Sequence, residues 1–386
     1  MSSRSRDLTR REFLETSALL TGGGVLAGGL GLAKGLFAGS EPEKKGTVEY
    51  RTLGRTGLKI SSVSLGTMNA TDPAVVDRAL DLGINYIDTA RGYQGGQNEK
   101  MVGSVLERRR GETYIGTKCG VSGSVDGIVA SVEESLRALR TDVIDIIQFH
   151  GIERDEHLTW APAIEAFGKL RDQGKVRFVG VTYHTRMAEL TRALAKNDFW
   201  DTALVAYNFN TEESLSEAIR EAAKAGKGII AMKTQGGGFQ TSSFEGATAH
   251  QASLKWVLQN EGVTGAVPGV TTIQQLEEDF AASGKRLSLY DRLRLEGFAR
   301  ASAGKTCLMC GDCDGSCPEG VKVREVNRAL MYAECYRDAA LGKLTYEEIP
   351  PTERASACVS CSGCKVRCRG RLDIAGRMRR AHALLA

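Results

Sequence analysis

The sequence has no strong charge of one sign: 51 Lys and Arg stand against 47 Asp and Glu, a formal net charge of +4 in 386 residues. So mild a balance gives no general attraction to a polyanion. Aromatics are scarce at 6%, and the basic stretch from Lys365 to Arg380 contains none. Nothing here resembles a nucleic-acid module, and no nucleic-acid partner is expected. No long apolar run is unbroken. The richest, Ala18 to Ala38, carries seven glycines and Lys34, which makes it poor as a stable transmembrane helix. No clear A-x-A cleavage site follows it, and Ala38-Gly39-Ser40 is the nearest approach. What remains is an ordinary globular composition, 42% hydrophobic and 25% charged, with length for two or three domains.

The moderately apolar run does suit the core of an export signal. Thr9-Arg10-Arg11-Glu12-Phe13-Leu14 precedes it, and the start is arginine-rich, the order found in twin-arginine signals. Residues 1–45 are therefore expected to engage the twin-arginine export machinery. They would deliver the protein to the periplasm or the outer side of the cytoplasmic membrane. Membrane contact is expected only if the segment is retained as an anchor. This route carries folded proteins, so metal centres assembled before export can cross intact.

Eight of the ten cysteines fall in two quartets. Cys307, Cys310, Cys313 and Cys317 precede Pro318 in a C-x2-C-x2-C-x3-C-P run, and Cys358, Cys361, Cys364 and Cys368 repeat the spacing with Arg369 in place of proline. Steps of three let a loop wrap three corners of a cubane cluster while the fourth cysteine reaches another. Structural zinc usually takes four ligands in two Cys-x-x-Cys pairs with no surplus, so the count favours iron–sulfur. About forty residues separate the quartets, with a helical pattern around Val326, Leu330 and Tyr332. The tail, residues 296–386, resembles a helical two-cluster ferredoxin. That resemblance implies two [4Fe–4S] clusters, one on Cys307, Cys310, Cys313 and Cys368, the other on Cys358, Cys361, Cys364 and Cys317. Cys119 and Cys335 are left over and read as packing residues. The basic residues Lys365 to Arg380 either balance cluster charge, dock an acidic redox partner, or form a solvated helix face.

Between the two ends, residues 46–295 alternate short apolar strands with helical patterns. Strand-like runs are Ser62–Leu65, Asn85–Asp88, Thr113–Thr117, Val143–Phe149, Arg177–Val181, Ala203–Ala206, Gly228–Ala231 and Gly265–Val267. Ile128, Val132, Leu136 and Leu139 make one apolar helix face, and Ile164, Phe167 and Leu170 another. Gly83, Gly174, Gly226 and Gly262 stand where helices should end. Eight such units predict an α/β fold, a (β/α)8 TIM barrel, whose chemistry sits at the carboxyl ends of the strands. Asp88, Lys118, His150, Thr182, Asn208 and Lys233 occupy those ends.

Tyr50-Arg-Thr-Leu-Gly-Arg-Thr-Gly57, Ile87-Asp-Thr-Ala-Arg-Gly-Tyr93 and the run from Ser135 to His150 resemble motifs of the aldo/keto reductase family across essentially the whole barrel. The resemblance implies a catalytic tetrad of Asp88, Tyr93, Lys118 and His150. The chemistry of those groups agrees. Carbonyl reduction needs hydride on carbon and a proton on oxygen. A free phenol, with a pKa about 10, is a sluggish acid. Lys118 is expected to lower the Tyr93 pKa, Asp88 to keep Lys118 charged, and His150 to polarise the carbonyl.

The family pattern breaks in the nucleotide site. Tyr183 stands where an asparagine is common, Met232 where an aromatic often stacks, and Leu204 opens its strand where a glutamine usually does. Gly269 and Gln275 occupy the places of the cations that grip a 2′-phosphate. Losing two charged hydrogen bonds, at about 1.5–3 kcal/mol each, should weaken NADP by several kcal/mol. Thr182, Lys233, Gly269 and Gln275 are the candidate cofactor positions, with NAD or NADP left open. Lys233-Thr-Gln-Gly-Gly-Gly238 reads equally as a pyrophosphate turn or a flexible loop. Outside the cytoplasm, either a nucleotide travels with the folded protein or electrons come through the clusters.

The expectation is an exported iron–sulfur oxidoreductase. It interconverts a small-molecule carbonyl and an alcohol, of sugar or polyol type, with a redox protein as electron partner. Two rival readings stay open: an electron-transfer protein whose barrel is a docking scaffold, and a non-redox acid/base enzyme with structural clusters.

Overall fold

A computed structural model describes residues 48–120, 123–236, 248–302, 304, 306–308, 310–313 and 315–386. The expected export segment and the last two glycines of the Lys233–Gly238 turn lie outside them. The described chain opens on a hairpin, β1 (Tyr50–Thr52) and β2 (Lys59–Ser61), paired antiparallel with Arg51 opposite Ile60. Leu53, Leu58 and Ile60 of this hairpin pack against Tyr86, Ile146, Leu204 and Ile230 from inside the barrel. Arg55 N donates to Gly226 O at 2.7 Å, just before β9 begins. The hairpin thus closes the barrel at the amino ends of its strands.

Eight parallel strands follow: β3 (Leu65–Gly66), β4 (Tyr86–Asp88), β5 (Tyr114–Gly120), β6 (Ile144–His150), β7 (Val176–Tyr183), β8 (Thr202–Ala206), β9 (Gly228–Met232) and β10 (Gly265–Ala266). Each pairs with the next, and bridges of Val63 to Ala266 and Gly66 to Gly269 join the first to the last. Every strand overlaps the run expected from the sequence. Around them lie α1 (Pro73–Asp81), α2 (Gln97–Arg109), α3 (Val125–Leu139), α4 (Ala161–Asp172), α5 (Met187–Ala195), α6 (Glu213–Lys224), α7 (Ala249–Leu258) and α8 (Ile273–Phe280).

Helix α3 starts where Ser124 accepts from Gly127 N, and it buries the expected Ile128, Val132, Leu136 and Leu139. Helix α4 differs slightly: Ala163 and Ala166 share the buried face with Phe167 and Leu170, while Ile164 is only half-buried. Gly83, Gly174 and Gly226 do end helices, with φ of +85°, +71° and +81°. Gly262 does not. A Cβ there would meet Ile219 O at 2.9 Å, so close packing against α6 is what requires glycine.

Helix α9 (Leu289–Ser302) leads out of the barrel to α10 (Val323–Glu334), α11 (Ala339–Glu347) and α12 (Ile374–Leu385). Val326, Leu330, Tyr346, Ile349, Met378 and Leu385 form a second core with cysteines packed at its edge. Residues 45–386 nevertheless make one compact unit. Much of the basic end is engaged internally: Arg369 pairs with Asp312 at 2.6 Å and with Glu212 just before α6, Arg377 bonds Asn327 at 2.6 Å, and Arg380 pairs with Glu334. Among the described residues no helix is long and apolar enough to cross a membrane.

Candidate active site

Strand geometry brings the four tetrad positions to one rim. Asp88 ends β4, Lys118 lies near the end of β5, and His150 ends β6. Tyr93 opens the short turn Tyr93–Gly96 after β4. Lys118 Nζ donates to Asp88 Oδ1 and, at 2.6 Å, to Thr89 O. The other Asp88 oxygen accepts from Gln148 Nε2 at 2.8 Å. Lys118 Nζ also lies 4.8 Å from the Tyr93 ring centroid, and the Tyr93 and His150 rings meet edge-on at 6.2 Å.

The electrostatics depart from expectation at Tyr93. Burial raises its phenol; Lys118 pulls it down and Asp88 pushes it up again, and the net shift is upward. Lys118 cannot offset the loss of solvent because Asp88 neutralises much of its field. Burial lowers the Lys118 ammonium, yet Asp88 and then Tyr93 outweigh that, so it stays charged. Burial, with Lys118, Arg328 and Lys233, holds His150 down at about 3. His150 is therefore a neutral imidazole at ordinary pH, with an N–H to donate.

The carboxyl-terminal unit covers this rim. Along one face of α10, residues spaced by four reach three strand-end loops. Arg324 meets Glu153 at 3.4 Å, Tyr332 Oη meets Lys233 Nζ at 3.3 Å, and the same hydroxyl lies 3.9 Å from Met68 Sδ. Arg328 hydrogen-bonds Tyr332 as well. Burial alone would raise the Tyr332 phenol, but Lys233 and Arg328 together lower it. His184, one residue past β7, lies in the field of Lys233, Arg328 and His150, and its buried Nδ1 has no hydrogen-bond partner among the described residues. The sequence reading named none of Tyr332, Arg328 or His184 as site residues. The one available signal is Arg324, Arg328 and Tyr332 at steps of four, a stripe along one face of an amphipathic helix.

The candidate cofactor positions divide. Thr182 is buried and its Oγ1 accepts from Gly151 N at 2.8 Å, which fixes the backbone beyond His150. Tyr183 turns away from the rim and bonds Thr191 of α5 at 2.7 Å, so no aromatic ring replaces the family's asparagine in the site. Met232 packs partly buried against the barrel interior. Lys233 stays at the mouth, and Asn208 Nδ2 donates to its carbonyl at 3.0 Å. The turn after it is anchored, since Gln235 Nε2 donates to the buried Asp279 at 2.8 Å. A Cβ at Gly269 would lie 3.6 Å from Asn69 Nδ2, and Gln275 turns its carboxamide oxygen to Thr271 N at 2.8 Å. Neither of these two positions offers a cationic side chain to a 2′-phosphate.

The cysteines fit the crossed pairing. Cys307, Cys310, Cys313 and Cys368 line one pocket with Leu308, Leu372 and Ile374. Burial first, then neighbouring Cys317, Cys361 and Cys364, push the Cys358 thiol up to about 11. That crowding is relieved when thiolates bind a cation. Among the described residues no three potential ligands converge tightly enough for a single metal ion. Cys119 is buried in the barrel core, its thiol pushed up to about 12, and Cys335 is half-buried.

Comparison with known proteins places this rim in context. A model of the Aldo/keto reductase family matches residues 62–250. A Pseudomonas aeruginosa protein of solved structure, assigned to the aldo-keto reductases, is 30% identical; the match covers 61% of this chain and 94% of that one, with a TM-score of 0.51. L-galactose dehydrogenase of Arabidopsis thaliana is 29% identical, over 61% of this chain and 88% of its own. L-glyceraldehyde 3-phosphate reductase of Escherichia coli is 24% identical, over 63% of this chain and 90% of its own.

Two stability measurements test this electrostatic arrangement. Lys118→Met strands a buried carboxylate and should destabilise by ~3–5 kcal/mol in chemical denaturation. Adding Asp88→Asn to that variant should recover most of the loss. His150 is neutral when folded, while an unfolded histidine takes a proton below about 6.5. Stability should therefore fall on acidification between that value and about 3, and His150→Gln should remove one proton's worth of that slope.

Proposed function

Because the chain belongs to the aldo/keto reductase family, we propose that it is an exported iron–sulfur oxidoreductase in which Tyr93 exchanges a proton with the oxygen of a carbonyl/alcohol pair. The observation that carries this reading is the convergence of Tyr93, the Lys118–Asp88 pair and His150 at the carboxyl ends of adjacent strands. With its phenol raised, Tyr93 is protonated at neutral pH and is the donor when a carbonyl is reduced. The adjacent ammonium stabilises the tyrosinate left behind. Neutral His150 donates a hydrogen bond that holds the substrate oxygen and favours the developing alkoxide.

Cys307, Cys310, Cys313 and Cys368 would hold one [4Fe–4S] cluster, and Cys358, Cys361, Cys364 and Cys317 the other. When bound, such clusters supply one-electron transfer to or from a redox partner. Export rests on the twin-arginine pattern at Arg10 and Arg11. Two relatives named for L-galactose and L-glyceraldehyde 3-phosphate support a substrate of sugar type. When bound, a nicotinamide nucleotide, NAD or NADP, would supply the hydride that the carbonyl carbon takes up, with Thr182 and Lys233 as candidate contacts, while Gly269 and Gln275 offer no cation to a 2′-phosphate.

The docking-scaffold reading draws its support from those same two positions. Turnover separates the two readings. On a panel of sugar carbonyls and polyols, assayed with an artificial electron carrier, Tyr93→Phe should lose activity by at least about a hundredfold while keeping its native circular dichroism. Undiminished turnover in that variant would sink the acid–base role. No turnover of any panel member by the wild type would favour the scaffold.

A further inference from the structure

The two cysteine quartets are placed differently. Cys307 lines a pocket shared with Asn208 and Lys233 of the barrel, and Arg369, next to Cys368, pairs with Glu212 just before α6. The quartet of Cys307, Cys310, Cys313 and Cys368 therefore lies against the barrel. Cys361 and Cys364 belong to the other quartet, and they alone among the ten cysteines are exposed. Val359, between Cys358 and Cys361, is 63% exposed. Two thiols and an apolar side chain thus stand open to solvent within six residues.

The cations of the same stretch divide as well. Arg369, Arg377 and Arg380 are held by Asp312, Asn327 and Glu334. Lys365, Arg367, Arg371 and Arg379 are exposed, and no carboxylate pairs with any of them among the described residues. The one carboxylate between Lys365 and Arg380, Asp373, is engaged as the cap of α12, accepting from Gly376 N at 3.0 Å. Lys365 directly follows Cys364, Arg367 precedes Cys368, and the field of Arg379 reaches Cys358. A solvated helix face does not account for this set, because only Arg379 lies on α12. The other three lie in the loop that follows the exposed thiols. Charge balance alone does not require them to stand in water. An apolar centre with a charged, solvent-facing rim is the anatomy of a protein–protein interface, and a cationic rim steers an anionic partner.

We propose that the exposed face around Cys361 and Cys364, rimmed by Lys365, Arg367, Arg371 and Arg379, docks an acidic one-electron carrier protein. The proposal rests on the iron–sulfur reading and gives its redox partner a chemistry and a place. It also orders the quartets, the outer one at the partner and the inner one at the barrel.

Isothermal titration of the anaerobically purified full-length chain tests it, with an acidic plant-type ferredoxin as probe and a basic cytochrome c as its opposite in charge. The ferredoxin should bind at low ionic strength and lose about tenfold or more in affinity near ~0.3 M salt, and the cytochrome should not bind. Changing all four cations together, Lys365→Gln, Arg367→Gln, Arg371→Gln and Arg379→Gln, should weaken ferredoxin binding by about tenfold or more at low salt. Lys100, Arg108, Arg140 and Lys169, exposed on the barrel, serve as the control set, and changing them to Gln should leave affinity within about twofold. Should the first set fail to fold, Lys365→Gln with Arg367→Gln should still weaken binding by about threefold. No ferredoxin binding at low salt, equal binding of the cytochrome, or an equal loss in the control set overturns the docking face. Unchanged ferredoxin affinity with shifted midpoint potentials would assign the cations to charge balance and overturn it too. Iron and sulfide counted on the same sample separate this from the parent reading. If ferredoxin binds through the four cations to a chain without clusters, the iron–sulfur reading fails and the docking face stands. If the clusters are there and ferredoxin does not bind, the docking face fails and the iron–sulfur reading stands.

Discussion

The structure turns on a charge pair buried at the barrel rim. Lys118 and Asp88 are both nearly inaccessible to water, and neither ion is tolerable there alone. Their contact obliges β4 and β5 to end side by side, and Gln148 ties the same carboxylate to β6. Three strand ends are thus fixed by one ion pair, and Tyr93 and His150 are placed by what it fixes. The pair also explains the unexpected Tyr93. A lysine already answered by an aspartate acts weakly on a third group, so burial decides the phenol's direction. The result favours proton donation over proton acceptance at neutral pH.

A second constraint is the position of α10 over the rim. Arg324, Arg328 and Tyr332 replace solvent above the tetrad with a cationic, hydrogen-bonded surface. His150 is held neutral partly by charges from this helix and from β9's end, Arg328 and Lys233. Cys307 lines both the cavity beside Lys233 and the one shared by its quartet. The cysteine-bearing unit therefore adjoins the catalytic rim rather than the hairpin-sealed end of the barrel.

The barrel was legible in the sequence because each buried strand is a short apolar run, and several run into a polar side chain at the rim. Asp88, Lys118 and His150 announce themselves in that way. Tyr93 sits in a turn, and only the family motif singled it out. Strand alternation would have shown Tyr183 facing outward, since neighbouring Thr182 faces in. The reach of Tyr332 into the rim was not legible. Its helix reads as an amphipathic core element, and what its polar stripe touches is set by docking across 99 to 264 residues of sequence. Gly262 shows the same limit: a helix-ending glycine and a close-packing glycine look alike until the neighbouring helix is placed.

Iron and acid-labile sulfide, counted on the anaerobically purified full-length chain, test most directly whether the unit beside the rim of Tyr93 carries clusters. The expected result is about eight of each per chain, with Cys368→Ser and Cys317→Ser each disturbing a different one of two clusters in electron paramagnetic resonance after reduction. Stoichiometric zinc without sulfide, or a single cluster unaffected by either substitution, would contradict the crossed pairing and the electron route built on it.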